Sequence, residues 1–203
     1  KNGVVFQNGT GVTFSYMAFN FKNPYLKNAK VREAIAVAID RDKIIKYKLK
    51  GLGVPATSVL NPDHWAYDSS LPKVQYDPVK AKKLLDETEF KDPDGDGPQS
   101  RFNLIYKTSK DKTRLEIAYL IAENLKTVGI DVTIKSYEFG TFYNDIRQGN
   151  FDIFTLQWVG VSDPDIYHFI SATDQVPPVG ANRGFYSNKN LDELLEKSRQ
   201  EGD

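Results

Sequence analysis

Between Val12 and Phe21 the side chains alternate, with Phe14, Tyr16 and Ala18 on one side and Met17, Phe19 and Phe21 on the other. A period of two belongs to an extended strand, and large apolar residues on both sides predict a strand covered on both faces. The period then lengthens. Val31, Ala34, Ile35, Ala38 and Ile39 fall on one face of a helix, and Asp40 is placed to cap a second helical run through Ile44, Ile45 and Leu49 that stops at Gly51. From Leu52 to Tyr76 no period holds and Pro55, Pro62 and Pro72 interrupt the chain, which predicts a long surface loop carrying Trp65 and Tyr67. Loops of that length are commonly functional or lid-like.

Tyr76-Asp77-Pro78 restores order. Asp supplies an N-cap oxygen and Pro suits the first helical position, where its missing N–H would have no partner anyway, so a helix through Ala81, Leu84 and Leu85 follows. After the turn residues Asp92 to Gly97, the pattern predicts a strand at Phe102 to Tyr106, a helix at Lys112 to Val128 closed by Gly129, and a strand at Ile130 to Tyr137. That order is a β-α-β crossover, which makes the two strands parallel. A helix from Thr141 to Gln148 ends at Gly149, and a largely apolar strand runs from Asp152 to Val159. A short helix begins at Pro164, and Ser187 is placed to cap a last helix carrying Leu191, Leu194 and Leu195. The whole is an α/β pattern with no internal repeat and no low-complexity tract.

With 203 residues, 40% hydrophobic and 27% charged, the chain has the composition of a folded α/β unit with a sizeable core. No apolar run approaches the roughly 20 residues of a membrane-spanning helix. The 27 Lys and Arg cancel the 27 Asp and Glu, so there is no overall bias toward nucleic acid or anionic lipid. Charge is uneven locally: Lys22 to Lys50 holds nine basic residues against three acids, whereas Glu138 to Asp165 holds five acids against one Arg and offers acceptors for a cationic group. The absence of cysteine excludes a disulfide scaffold, a thiolate metal site and a Cys nucleophile. The first residues, Lys1 to Val5, are neither an initiator Met nor a signal peptide, and Arg199 to Asp203 follow a helical pattern with no closing strand. Both ends are those expected of a piece cut from a longer chain.

Few residues point to catalysis or metal. Asp92, Asp94, Asp96 and Gly97 copy the first half of a calcium loop, but the twelfth position, where a bidentate Glu belongs, is Asn103, so a plain Asp/Gly turn is expected and no metal site. The two histidines, His64 and His168, have no second His at ligand spacing, and an exposed or capping role is expected for each. No G-x-S-x-G elbow, H-E-x-x-H or phosphate-binding Gly-rich loop is present, so an enzyme is not expected and neither is a cofactor.

The densest constellation lies at the carboxyl end of the strand Asp152 to Val159, reading Gln157-Trp158-Val159-Gly160-Val161-Ser162-Asp163-Pro164-Asp165. Open α/β sheets bind ligands outside the carboxyl ends of their strands. Trp158 offers a flat apolar wall, Gly160 lets backbone approach a ligand, and Asp163 and Asp165 can accept hydrogen bonds from an ammonium. Two alternatives stay open: a ligand site, or a core Trp158 followed by an Asp163 that only caps the helix at Pro164.

These residues carry a resemblance. Asn28 to Ile35 (NAKVREAI), Asp40 to Ile45 (DRDKII), Tyr76 to Leu85 (YDPVKAKKLL), Leu125 to Val132 (LKTVGIDV), Tyr137-Glu138-Phe139 and the Trp158 to Asp165 segment are similar, in order, to the oligopeptide- and dipeptide-binding type of family 5 extracellular solute-binding proteins of ABC importers. The resemblance covers nearly the whole chain. It implies the class II, cluster C periplasmic-binding-protein fold: one lobe, residues 1–203, built as a mixed sheet flanked by helices, with residues 1–25 near the hinge and the partner lobe absent. It further implies a binding protein rather than an enzyme, outside the cytoplasmic membrane, which takes a solute, peptide-like by family type, between two lobes and presents it to ABC permease subunits. No nucleic-acid partner is implied, and contact with the membrane would come only through the permease or a lipid anchor outside this stretch.

By the same resemblance Phe139 lines the pocket, at a position commonly Trp in peptide binders, and Gln157 and Trp158 to Gly160 run beside the ligand. One departure stands out: peptide binders of the family place an Asp three residues after the Trp to hold the ligand's α-ammonium, and here that residue is Val161. Either Asp163, with Asp165 nearby, takes over the ammonium, or the solute has no free amino terminus, as for sugars or metal chelates. Arg183 could meet a ligand carboxylate or brace a loop. A rival reading is the ligand-sensing domain of a transcriptional regulator.

Overall fold

The structure is a computed structural model in which residues 11–201 are described; residues 1–10, part of the stretch expected near the hinge, and residues 202–203 at the predicted helical end lie outside the described residues. In chain order the elements are β1 (Thr13–Phe19), α1 (Ala29–Ala38), α2 (Arg41–Tyr47), α3 (Pro78–Asp86), β2 (Phe102–Ser109), α4 (Lys112–Lys126), β3 (Ile130–Tyr137), α5 (Phe139–Gln148), β4 (Ile153–Val159), α6 (Ile166–Ser171) and α7 (Lys189–Gln200). The caps predicted at Asp40 and Asp77 form: each carboxylate accepts an N–H of the first turn, from Lys43 and Lys80.

The strands form one mixed sheet in the order β1-β4-β2-β3. The β2-α4-β3 crossover makes β2 and β3 parallel, as predicted, and β4 is parallel to β2 while β1 is antiparallel to β4. The carboxyl ends of β2, β3 and β4 therefore share one edge of the sheet. Two apolar clusters cover its faces. Val31, Ala34, Ile35 and Ala38 of α1, Ala81 and Leu85 of α3, and Ala118, Ile121 and Leu125 of α4 bury against Leu104, Tyr106, Ile130 and Ile153. On the other face, Phe142 and Ile146 of α5 pack with Phe151, Phe154 and Leu156. At about 25 cal/mol per Å² of apolar surface removed from water, these two faces dominate the stability of the sheet.

Asn20 and Asp152 lock the opposite end. The Asn20 amide donates to the carbonyls of Gly149 (3.0 Å) and Phe151 (2.8 Å), while Asp152 accepts from Ile105 N–H (2.7 Å) and from Asn23 (2.8 Å). Gly149 ends α5 in the left-handed conformation at φ 77°, and a Cβ there would come within 2.6 Å of the Phe185 ring, so only glycine closes this turn without strain.

Several expectations shift. β1 is an edge strand whose apolar faces are covered only over its second half, where Met17 and Phe19 meet one cluster and Tyr16 and Ala18 the other; Thr13 and Ser15 are exposed. β2 runs on to Ser109 because its pairing with β3 continues to Tyr137. α5 starts at Phe139 rather than Thr141. The cap of α7 is Asn188, which accepts from Leu191 N–H, and Ser187 instead accepts from the Thr173 hydroxyl. The loop from Leu52 to Tyr76 has no helix or strand, as predicted. His168 is not exposed: α7 crosses α6 and brings Glu196 and Arg199 each to 3.3 Å of its Nε2. Asp92 and Asp94 accept turn N–H groups and Asp96 pairs with Lys82 (2.5 Å), so this segment is a turn, and among the described residues no three His, Cys, Asp or Glu are grouped to hold a metal.

Candidate functional site

At the carboxyl edge of the sheet, β4 parts from β2. The two strands pair at Tyr106 with Ile153 and Lys107 with Phe154, and beyond that point β4 continues with β1 as its paired neighbour. Main-chain N–H and C=O groups on the β2 side of β4 are thereby left to other partners, the arrangement that accepts an extended ligand as an added strand.

Alternation along β4 decides which side chains meet. Trp158 shares a face with Phe14, Tyr16 and Phe154, whereas Gln157 and Val159 lie on the opposite face, where Gln157 donates to Ser15 (3.1 Å) and Val159 is exposed. On the Trp158 face a row of rings forms. Phe14 stacks on Tyr16 (6.2 Å) and Tyr16 on Trp158 (6.3 Å), while Phe169 meets Trp158 edge-on (6.3 Å). Arg183 lies over Trp158 at 5.2 Å and donates to the hydroxyls of Tyr16 (3.0 Å) and Tyr143 (3.2 Å). Tyr143 in turn stacks on Phe139 (5.8 Å). Phe139, Trp158 and Arg183 are thus joined through Tyr16 and Tyr143, two residues the sequence reading did not single out. Burial pushes the Tyr16 phenol above its ordinary value, and the Arg183 charge beside it pulls the other way.

The segment after β4 is less concerted. Gly160 leaves the strand at φ 67° with open space on its Cβ side. Asp163 spends one oxygen on Asp165 N–H (2.9 Å), and Asp165 pairs with Arg199 of α7 (3.0 Å). The long loop is pinned against this segment: His64 lies 3.2 Å from the Ser162 carbonyl and Ser58 2.7 Å from the Tyr167 hydroxyl, leaving Trp65 82% exposed beside them.

A second part of the edge was not foreseen. Between the ends of β2 and β3 lies an open cavity of about 420 Å³ lined by Ser109, Lys110, Asp111, Arg114, Glu138 and Phe139. Lys110 and Glu138 pair across its mouth (3.2 Å), Asp111 caps α4, and Arg114 lies over the Phe139 ring at 5.6 Å. The rule that ligands meet the carboxyl ends of strands, applied to every strand of the crossover and not to β4 alone, would have pointed to these residues.

A sequence profile described as "Bacterial extracellular solute-binding proteins, family 5 Middle" matches residues 1–176. This chain belongs to that family. Among family 5 proteins it is 31% identical over 201 residues to the oligopeptide-binding protein AppA of Bacillus subtilis, covering 95% of this chain and 37% of that protein. The solved structure of AppA in complex with a nonapeptide superposes with a TM-score of 0.87 at 30% identity, covering 96% of this chain and 40% of that one. DppA from Helicobacter pylori in complex with the peptide STSA follows at 28% identity and 0.83, over 95% of this chain and 36% of that one. NikZ from Campylobacter jejuni in complex with Ni(L-His) matches at 25% and 0.79, over 96% of this chain and 40% of that one. The chain thus spans about two fifths of these family 5 relatives, and its mixed sheet flanked by helices is the architecture of one of their lobes.

Proposed function

We propose that this family 5 chain is the ligand-contacting lobe of the substrate-binding component of an ABC importer, taking a peptide-like solute at the carboxyl edge of its sheet. The observation that carries the proposal is the row Phe14, Tyr16, Trp158, Arg183, Tyr143 and Phe139 standing beside the unpaired side of β4. Flat rings supply apolar contact that tolerates varied side chains, and strand edges supply main-chain hydrogen bonds independent of side-chain identity. A second lobe closing over this edge would exclude water, and the closed pair would be what the permease subunits recognise. In this scheme residues 1–25 approach the hinge, Trp158 and Phe139 line the ligand, Gln157, Val159 and Gly160 contribute main chain, and Arg183 holds the platform together. The function is capture and release with no covalent step, outside the cytoplasmic membrane. Among the described residues no helix is long and apolar enough to cross a membrane.

A second reading, a solute without a free amino terminus, has its own support. Val161 stands where peptide binders of the family carry an acid, Asp165 is engaged by Arg199, and Asp163 keeps one oxygen free of the turn. Mass spectrometry of small molecules released from the purified full-length protein, followed by calorimetric titration of what is found, separates the two. Peptides with free amino termini support the first reading, non-peptide solutes the second, and turnover of the bound compound would overturn both.

A further inference from the structure

The basic stretch from Lys22 to Lys50, nine basic residues against three acids, is only partly answered by the fold. Lys30 pairs with Glu87 (2.9 Å), Lys43 with Asp40 (3.2 Å) and Lys48 with Glu116 of α4 (3.2 Å). Lys46 lies over the Tyr47 ring (5.2 Å), and neither it nor Lys50 reaches a carboxylate among the described residues. Apolar side chains stand out between these charges: Tyr47 is 64% exposed, Leu52 73% and Val54 68%. The chain folds back on the end of α2 here, with Gly51 N–H donating to the Ile45 carbonyl (2.9 Å), Leu52 N–H to the Leu49 carbonyl (2.8 Å), and Gly53 lying against Leu49 and Ile45. The returning end of the long loop meets the same helix. Arg41 donates to the Val74 carbonyl and Lys43 lies 5.9 Å from the centre of the Tyr76 ring, leaving Val74 and Tyr76 exposed beside them.

Single exposed apolar residues need no partner, but aliphatic and aromatic tips gathered on one short helix and its flanking loop ends, among lysines without counter-charges, mark an interaction surface. Charge selects an acidic partner, and the apolar tips select its kind. Leu52 stands on a turn between Gly51 and Gly53. The headgroup region of a bilayer takes such tips without a complementary shape, while lysine stems lie along the apolar boundary with their ammonium groups among the phosphates. A nucleic acid backbone would match the charge and leave Leu52 and Val54 in water. We propose that α2 and the turn after it, from Lys46 to Val54, rest on anionic lipid headgroups at the outer face of the cytoplasmic membrane. This is a contact of the lobe itself with the bilayer, beyond any made through permease subunits. It rests on the extracytoplasmic location proposed above and is independent of which solute is carried. The geometry permits both functions at once. Ile44 of α2 packs on the cluster formed with α1 and α4, whereas Trp158 shares the face of Phe154, which α5 covers, so lipid at α2 leaves the row of rings open.

The test is cosedimentation of the full-length protein, produced without acyl modification, with vesicles of phosphatidylglycerol and phosphatidylcholine in equal parts and with vesicles of phosphatidylcholine alone. At about fivefold for each lysine near the surface, the anionic vesicles should bind at least about 25-fold more tightly, and Lys46→Gln with Lys50→Gln should remove that factor. Leu52→Ser with Val54→Ser should weaken binding about tenfold, and raising the salt from about 0.05 M to about 0.5 M should abolish most of it. The changed side chains are exposed, so both double variants should melt with the parent. A fluorophore on Val54→Cys, in a background free of other cysteines, should shift to the blue on anionic vesicles. The same label on Val179→Cys, exposed beside α5 on the other face of the sheet, should not. Equal binding of the unaltered protein to the two vesicle types overturns the contact whatever the variants do, as does full binding by Lys46→Gln with Lys50→Gln, or a blue shift at Val179 and none at Val54. Capture only by vesicles that hold the permease subunits assigns the surface to a protein partner and overturns it too. Solute binding measured on the same preparations keeps the readings apart: a protein that binds its solute and ignores anionic lipid overturns the contact alone.

Discussion

Replacing Arg183 by methionine keeps most of the apolar stem and removes the guanidinium that ties β1, β4 and α5 together. The lost interactions are a hydrogen bond to the Tyr16 hydroxyl (3.0 Å), one to the Tyr143 hydroxyl (3.2 Å), and the charge held over Trp158 (5.2 Å) and Tyr143 (5.6 Å). Taking about 1 kcal/mol for each hydrogen bond at this part-buried site and about 0.5 kcal/mol for each ring contact gives a loss of about 3 kcal/mol. For a domain of this size that is a fall in Tm of roughly 6–12 °C. Urea unfolding followed by tryptophan fluorescence measures it, with Trp158 sitting under the guanidinium and Trp65 exposed on the loop as an internal reference. Tyr143→Phe removes one partner, and the double variant should show a coupling of about 1 kcal/mol with Arg183→Met. A brace and a ligand anchor differ in this measurement: Arg183→Met with a stability loss under about 0.5 kcal/mol, or additive with Tyr143→Phe, would refute the brace.

The remaining predictions concern the frame around the site. Asn20→Ala strands the part-buried carbonyl of Gly149 and the buried carbonyl of Phe151 and should cost about 2–4 kcal/mol in denaturant unfolding; a change below about 1 kcal/mol would show that the sheet base relaxes around the gap. Asp145→Ala leaves the buried Lys107 ammonium over the Tyr137 ring without its carboxylate and should cost about 3–5 kcal/mol, while Lys107→Met with Asp145→Leu should recover most of it; a double variant as unstable as the single would refute the argument. The Thr173 hydroxyl (2.7 Å) and N–H (2.9 Å) hold the Asp192 carboxyl below its ordinary value of 3.8, a folded-state pKa lower than the unfolded one. The stabilisation is therefore fully present above pH 3.8 and lost as pH falls through the lower folded value. Asp192→Asn should flatten that acid limb in melts recorded from pH 2 to 5, and an unchanged limb would assign it to other carboxyls.

Much of the fold was legible because the signals are local. Asp77-Pro78 caps a helix by satisfying N–H groups within one turn of itself, and the period of Phe102 to Tyr106, Lys112 to Val128 and Ile130 to Tyr137 states a crossover whose geometry has one common outcome. The misplaced ends have equally local causes. Ser187 and Asn188 are both good caps, and the Thr173 hydroxyl, distant in sequence, engages Ser187. His168 reads as exposed from its neighbours alone, since nothing in Ile166 to Ser171 announces that α7 will cross it.

The candidate site was legible in part. Trp158, Phe139 and Arg183 were named from the sequence, and the tertiary structure unites them, but through Tyr16 and Tyr143, which are ordinary strand and helix aromatics in one dimension. The pleat set Gln157 and Val159 on the far side from Trp158, a consequence of register with β1 that no count along β4 could supply. The chain by itself determined its family, its α/β order and the residue types that line the edge, because these follow from short-range pattern and motif. The three-dimensional fold alone decided that β4 parts from β2, that Arg183 is spent on two phenols, and that the Arg114 guanidinium lies over the Phe139 ring. Hydrogen-bond satisfaction is a sum over neighbours, and the neighbours of a side chain are set by packing rather than by sequence distance.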